Sequence, residues 1–153
     1  MVRPFPSRPA DEPRVLWRPG VETRLHAGAG HGATALCVLE QWSAPGAGAP
    51  THTHFEVEEV IVVLAGVADV WIDGVSERLE TGAAILLPPG TWHGYRNAGE
   101  SELHTLAAFA SAHPPVAYED DPETVLEIGV AGQRMFDAHR AYREPPDERG
   151  ATG

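Results

Sequence analysis

The chain contains no lysine, a single cysteine and no long apolar run, and each absence excludes something. All eleven basic residues are arginine, set against twenty-two Asp and Glu, for a formal net charge of −11. An acidic surface repels phosphate backbones, so neither nucleic acid nor an anionic membrane is expected as a partner. One cysteine, Cys37, cannot form an intrachain disulfide, which fits a reducing cytosol or simply no need for cross-links. No segment approaches the roughly 18 apolar residues of a spanning helix. The opening "MVRPFPSRPADEPRV" has no apolar centre of the signal-peptide kind. A soluble, cytoplasmic protein is the expectation. The 153 residues fit one domain, and a chain of that size buries about 70% of its unfolded surface without metal or disulfide staples.

Glycine (16) and proline (14) are abundant instead, and they punctuate the chain. Four prolines in the first fourteen residues favour an extended arm, taken as residues 1–20. The segment "REPPDERGATG", residues 143–153, reads as a flexible tail. Between them, residues 21–142 alternate short β-branched or apolar runs with turn residues. Strands are expected in "ATALCVLEQW" (33–42), "VEEVIVVLAG" (57–66), "VADVWIDG" (67–74), "GAAILLPPG" (82–90) and "ELHTLAAFAS" (102–111). Asp73-Gly74 is a hairpin turn pair. "TVLEIGVAG" (124–132) suits a strand or a helix, and "GQRMFDAHRAYRE" (132–144) a short helix or a last strand. So many short strands indicate an all-β antiparallel sandwich or barrel.

Two clusters carry chemistry. In "PTHTHFEVEEVIVVLAG", strand alternation puts His52 and His54 on one face, as two imidazoles need to be to grip one cation. Glu56, Glu58 and Glu59 are all available as a carboxylate partner, and spacing alone does not choose among them. In "GAAILLPPGTWHGYRN", His93 re-enters after a proline-rich turn and completes a site if the flanking strands pair. Three imidazoles and a carboxylate suit one divalent first-row transition metal rather than Mg or Ca.

The spacing of these clusters resembles the two motifs of the cupin superfamily. The first runs Gly46, five residues, His52-Thr53-His54, four residues, Glu59, six residues, Gly66. The second runs Gly82, five residues, Pro88, one, Gly90, two, His93, three, Asn97. The fifteen-residue gap between them is short, as in small single-domain bacterial cupins of the quercetinase-like kind. The resemblance is strong over about residues 35–112. It implies a double-sheet jelly-roll barrel with a metal inside (Fe(II) favoured, with Mn, Ni and Zn as alternatives), held by His52, His54, Glu59 and His93, and so selects Glu59 as the carboxylate. Gly66, Gly82 and Gly90 are then scaffold turns with positive φ.

Around this centre, Tyr95 shares the inward face of His93 and is a candidate catalytic hydroxyl. Glu59 is a candidate base as well as a ligand. Gln41 and Trp42 end the strand before the first motif; one is expected to meet substrate and the other to pack outside. Ile61 and Trp71 read as lining, and His104 as a pocket residue or a satisfied histidine. His26, His31, His113 and His139 read as solvated, and Cys37 as a small apolar residue.

Four ligands leave two positions open on a six-coordinate ion, so the resemblance implies a metal-dependent enzyme for a small-molecule substrate. A non-haem Fe(II) dioxygenase for an enol, phenol or carbonyl compound is the leading expectation. A non-redox isomerase, lyase or cyclase for a sugar acid or polyketide-like substrate is the alternative. A non-catalytic metal- or ligand-binding module is the third. A homodimer is expected, since the arm and exposed edge strands need covering.

Overall fold

The computed structural model describes residues 6–129, which form twelve strands and one 3-10 turn, Ala29–His31. The strands are β1 (Val15–Arg18), β2 (Val21–Ala27), β3 (Cys37–Ser43), β4 (Gly48–Thr53), β5 (Glu59–Ala65) and β6 (Val67–Ile72). They continue with β7 (Val75–Glu80), β8 (Ala84–Leu87), β9 (His93–Asn97), β10 (Leu103–Phe109), β11 (Pro115–Tyr118) and β12 (Asp121–Glu127). One six-stranded sheet has the order β1-β2-β3-β10-β5-β8, the other β12-β11-β4-β9-β6-β7. Every pairing is antiparallel. This is the expected double-sheet jelly roll, built as two sheets rather than one continuously bonded cylinder.

Alternation explains the core. In β5, Glu59, Ile61 and Val63 are buried while Val60 and Val62 are half-exposed. In β10, Leu103, Thr105, Ala107 and Phe109 point inward with the same period. Burying one such aliphatic or aromatic side chain contributes about 1.5–3 kcal/mol. The β6–β7 hairpin turns at Asp73 (φ 46°) and Gly74 (φ 84°), two successive positive φ values that suit Asp-Gly and match the right-handed twist of the strands. Gly66, Gly82 and Gly90 also have positive φ, as their scaffold role demands.

Two sequence expectations take a definite form here. Residues 124–127 belong to β12, so the strand reading of that run holds over those residues, while residues 132–144 and the tail at 143–153 lie outside the described residues. Within the stretch read as an arm, Val15–Arg18 forms β1 and pairs with β2. Proline spacing excludes a helix there but leaves an edge strand open, because Pro13 and Pro19 flank it without breaking a ladder bond.

Candidate metal centre

His52 lies on β4, in register with His93 of β9 on one side and Tyr118 of β11 on the other. His54 follows the end of β4, and Glu59 is the first residue of β5 in the opposite sheet. The site therefore bridges the two sheets. All four side chains are buried, and their ligand atoms lie within 4.8 Å of one another. Glu59 Oε2 is 3.0 Å from His93 Nε2 and 3.3 Å from His54 Nε2. Glu56 and Glu58, the other carboxylates the sequence offered, are exposed.

Hydrogen bonds at the far side of each ring set the tautomers. Nδ1 of His52 bonds the Pro50 carbonyl at 2.7 Å, that of His54 the Pro115 carbonyl at 2.8 Å, and that of His93 the Thr91 carbonyl at 3.0 Å. A carbonyl only accepts, so Nδ1 carries the proton in all three rings and Nε2 presents a lone pair. Nε2 of His54 and His93 and Oε2 of Glu59 are then buried acceptors without a donor. Facing acceptors at 3.0 Å repel unless a cation lies among them. Burial raises the Glu59 pKa while positive charge at His54 and His93 lowers it, and the balance holds the carboxylate far below its usual range; with neutral rings, a metal ion on the same ligand atoms would supply that charge. Burial, then the neighbouring His93 and His54, pushes His52 well below the ordinary imidazole value. Ionised carboxylate and neutral imidazole are the forms that ligate, so the residues fit one divalent first-row transition metal.

The cluster opens on a cavity between the sheets. Gln41, Ile61 and Tyr95, all expected in the pocket, line it. The Tyr95 hydroxyl donates to Gln41 Oε1 at 2.5 Å and lies 3.4 Å from Ser43 Oγ. Burial raises the Tyr95 pKa, keeping the phenol neutral.

Three other expected pocket residues face elsewhere. Trp42 and His104 have the opposite parity on β3 and β10, and their rings stack at 4.8 Å on the outer face of the first sheet. There His104 Nε2 bonds Glu40 at 3.0 Å and Arg14 sits 3.8 Å over the Trp42 ring. Gln41 thus takes the inward place and Trp42 the outward one. Trp71 is corrected from lining to the outer face of β6, where it covers Gly94 and donates to Thr51 Oγ1 at 2.9 Å. His26 and His31 are not simply solvated: each is half-buried, His26 on Glu40 and His31 on Glu12, both at 2.8 Å. His113 is exposed, as expected. His139 lies outside the described residues.

Sequence reasoning missed Trp17, Arg18 and Tyr118, which also line the cavity. The pairing of β1 with β2 shifts between Leu16 and Arg18, and this bulge buries two consecutive side chains. Strict alternation would have exposed one of them, so no periodic signal marked the pair.

Comparison with known proteins agrees with the geometry. The family model for the Cupin domain matches residues 42–109, which span both histidine clusters. Protein SchB of Streptomyces halstedii is 31% identical over 104 residues, covering 67% of this chain and 72% of that protein. This chain belongs to the cupin family. The cupin is also 36% identical over 76 residues to the germin-like protein subfamily 2 member 1 of Arabidopsis thaliana, of whose length it spans 35%. Among solved structures, the polyketide cyclase RemF from Streptomyces resistomycificus superposes with a TM-score of 0.65 at 25% identity, covering 78% of this cupin and 90% of that chain.

Proposed function

We propose that this cupin is a metal-dependent, non-redox cyclase for a polyketide-like poly-β-carbonyl substrate. The observation that carries the reading is Tyr95: a neutral, buried phenol, anchored by Gln41, in the same cavity as the His52–His54–Glu59–His93 cluster. The similarity to the polyketide cyclase RemF supports it.

His52, His54, Glu59 and His93 would hold the metal, which when bound supplies Lewis acidity toward a substrate carbonyl. The proton on a carbon flanked by two carbonyls is acidic enough to pass to the substrate's own neighbouring carbonyl oxygen, so enolisation then needs no strong protein base. That matters because Glu59, held in its ionised form far below its usual pKa, suits a ligand better than a proton shuttle. Tyr95 would turn its one hydroxyl hydrogen from Gln41 Oε1 to the oxygen that gains negative charge as the new carbon–carbon bond forms, and Gln41 accepts it again once the reaction is over. Ile61, Ala107 and Phe109 supply an apolar wall that keeps water away from the folded chain of carbonyls.

The oxygen-dependent reading is second. Four protein donors leave two positions on an octahedral ion for substrate and O₂, and Fe(II) would suit that chemistry. One experiment separates the two. Protein loaded with Zn, Ni or Fe(II) is incubated with a linear poly-β-ketone under nitrogen and under air. Ring formation under nitrogen, with loss of water only, supports the cyclase. Dioxygen uptake matched to an oxygenated product, with no turnover under nitrogen, overturns it in favour of the dioxygenase.

A further inference from the structure

The cavity contains a second polar feature that the metal chemistry does not use. Arg18 is 5% exposed, yet its guanidinium bonds only neutral groups: Nη2 donates to the Tyr118 hydroxyl at 2.9 Å and Nη1 to the Gly48 carbonyl at 3.3 Å. Among the described residues no carboxylate forms an ion pair with it, whereas Arg14, Arg24, Arg78 and Arg96 each have one. A buried cation without a counter-ion is costly, and proteins seldom keep one that only ties strands together. Beside it Trp17, which also lines the cavity, is 2% exposed, and its buried indole N–H is a second donor without a hydrogen-bond partner. Tyr118 links this corner to the metal cluster, its ring centroid 5.8 Å from that of His52.

Charge points the same way. With a divalent ion on the cluster, Glu59 offsets only part of the positive charge, and Arg18 adds to the remainder. A partly enclosed space with that excess favours an anionic guest.

We propose that Arg18 and Trp17, positioned by the β1 bulge and Tyr118, form a carboxylate subsite, so that the substrate is a carbonyl-rich or aromatic acid held by its carboxylate while its reacting oxygens face the metal cluster. This rests on the metal-enzyme reading above and narrows it to substrates that carry a free carboxylate rather than an ester or amide there. Arg18 supplies the charge and a planar pair of donors, Trp17 a further N–H, and Tyr118 holds the guanidinium in place.

The test uses Zn-loaded protein and two catechols, which grip the metal identically and differ at the far end: 3,4-dihydroxybenzoate and 3,4-dihydroxybenzamide. Affinities are measured by titration calorimetry for the wild type, Arg18→Gln, Arg18→Lys and Trp17→Phe, with zinc content measured on each. The wild type should prefer the acid over the amide by about tenfold or more. Arg18→Gln should abolish that preference while leaving amide affinity within about twofold, Arg18→Lys should restore part of it, and Trp17→Phe should reduce it several-fold. Equal preference in wild type and Arg18→Gln, with zinc retained, overturns the subsite and leaves the metal reading intact. A wild type that fails to hold zinc overturns the metal reading instead. Should Arg18→Gln not fold, the acid-to-amide ratios of Arg18→Lys and Trp17→Phe decide: unchanged ratios in both overturn the subsite.

Discussion

His52 and His93 face each other across the β4–β9 pair, their rings 4.3 Å apart at 56°, while Glu59 reaches His93 from the other sheet. The metal cluster is therefore a tie between sheets as well as a chemical site. Loading the metal-free protein with zinc at about 100 times its dissociation constant should stabilise it by about 2.7 kcal/mol. For a chain of this size that raises Tm by roughly 5–10 °C. Calorimetric scans with and without a chelator check this, and an unchanged Tm would contradict the tie.

The assignment of Glu59 over its neighbours is testable by substitution. His54→Ala and Glu59→Ala should each lose most bound metal while far-ultraviolet circular dichroism stays that of a β protein. Glu58→Ala, at an exposed position, should retain the full complement. Metal content by atomic emission reads the outcome, and equal losses at positions 58 and 59 would refute the assignment.

Tyr95→Phe removes the neutral donor and keeps the ring in the core. Turnover should fall by about a hundredfold, with metal content unchanged and KM little altered. Turnover equal to wild type would remove Tyr95 from the chemistry.

On the outer face, Glu40 accepts from both His26 and His104. Burial acts to raise its pKa, but these two bonds prevail and the value is lowered. A carboxylate with a depressed folded-state pKa contributes stability that is present above its unfolded value of 4.5 and lost as pH falls through the folded value. Glu40→Gln should therefore make the acid limb of stability shallower below pH 4.5. At pH 7 it should cost no more than about 1 kcal/mol. Urea midpoints across pH 3–7 would show it, and an unchanged acid limb would contradict it.

Cys37 is fully buried, and burial with the Glu59 charge nearby pushes its thiol up to about 12. Its contribution to stability is present below the unfolded value of 9.0 and lost as pH rises. The folded protein should react with a disulfide reagent at pH 8 on the order of a thousandfold more slowly than the unfolded chain. Comparable rates in the two states would place the thiol at the surface.

Much of this was readable in the linear chain because it depends on short-range rules. Short apolar runs marked β5 and β10, Asp73-Gly74 suited a hairpin turn, and the resemblance of the two histidine clusters to the cupin motifs pointed to His52, His54, Glu59 and His93 as a single cluster. Tyr95 followed from parity with His93, and the rule that one of two adjacent residues faces in left Gln41 or Trp42 for the structure to choose between.

Parity could not tell the inner from the outer face. Trp42, Trp71 and His104 are large or polar enough to suit a pocket, and their outward placement follows from which neighbours share their sheet. The bulge in β1 was wholly invisible, since one shifted residue buries Trp17 and Arg18 together and no periodic pattern records it. The sequence by itself marked the strands and turns, because each depends on residues a few positions apart, and its resemblance to the cupin motifs pointed to His52, His54, Glu59 and His93 as candidate ligands. The tertiary structure alone decided that an unpaired arginine and an unanswered indole N–H share a cavity with those ligands, because only the pairing of β1 with β2 and of β11 with β4 brings chain segments a hundred residues apart, Arg18 and Tyr118, into contact.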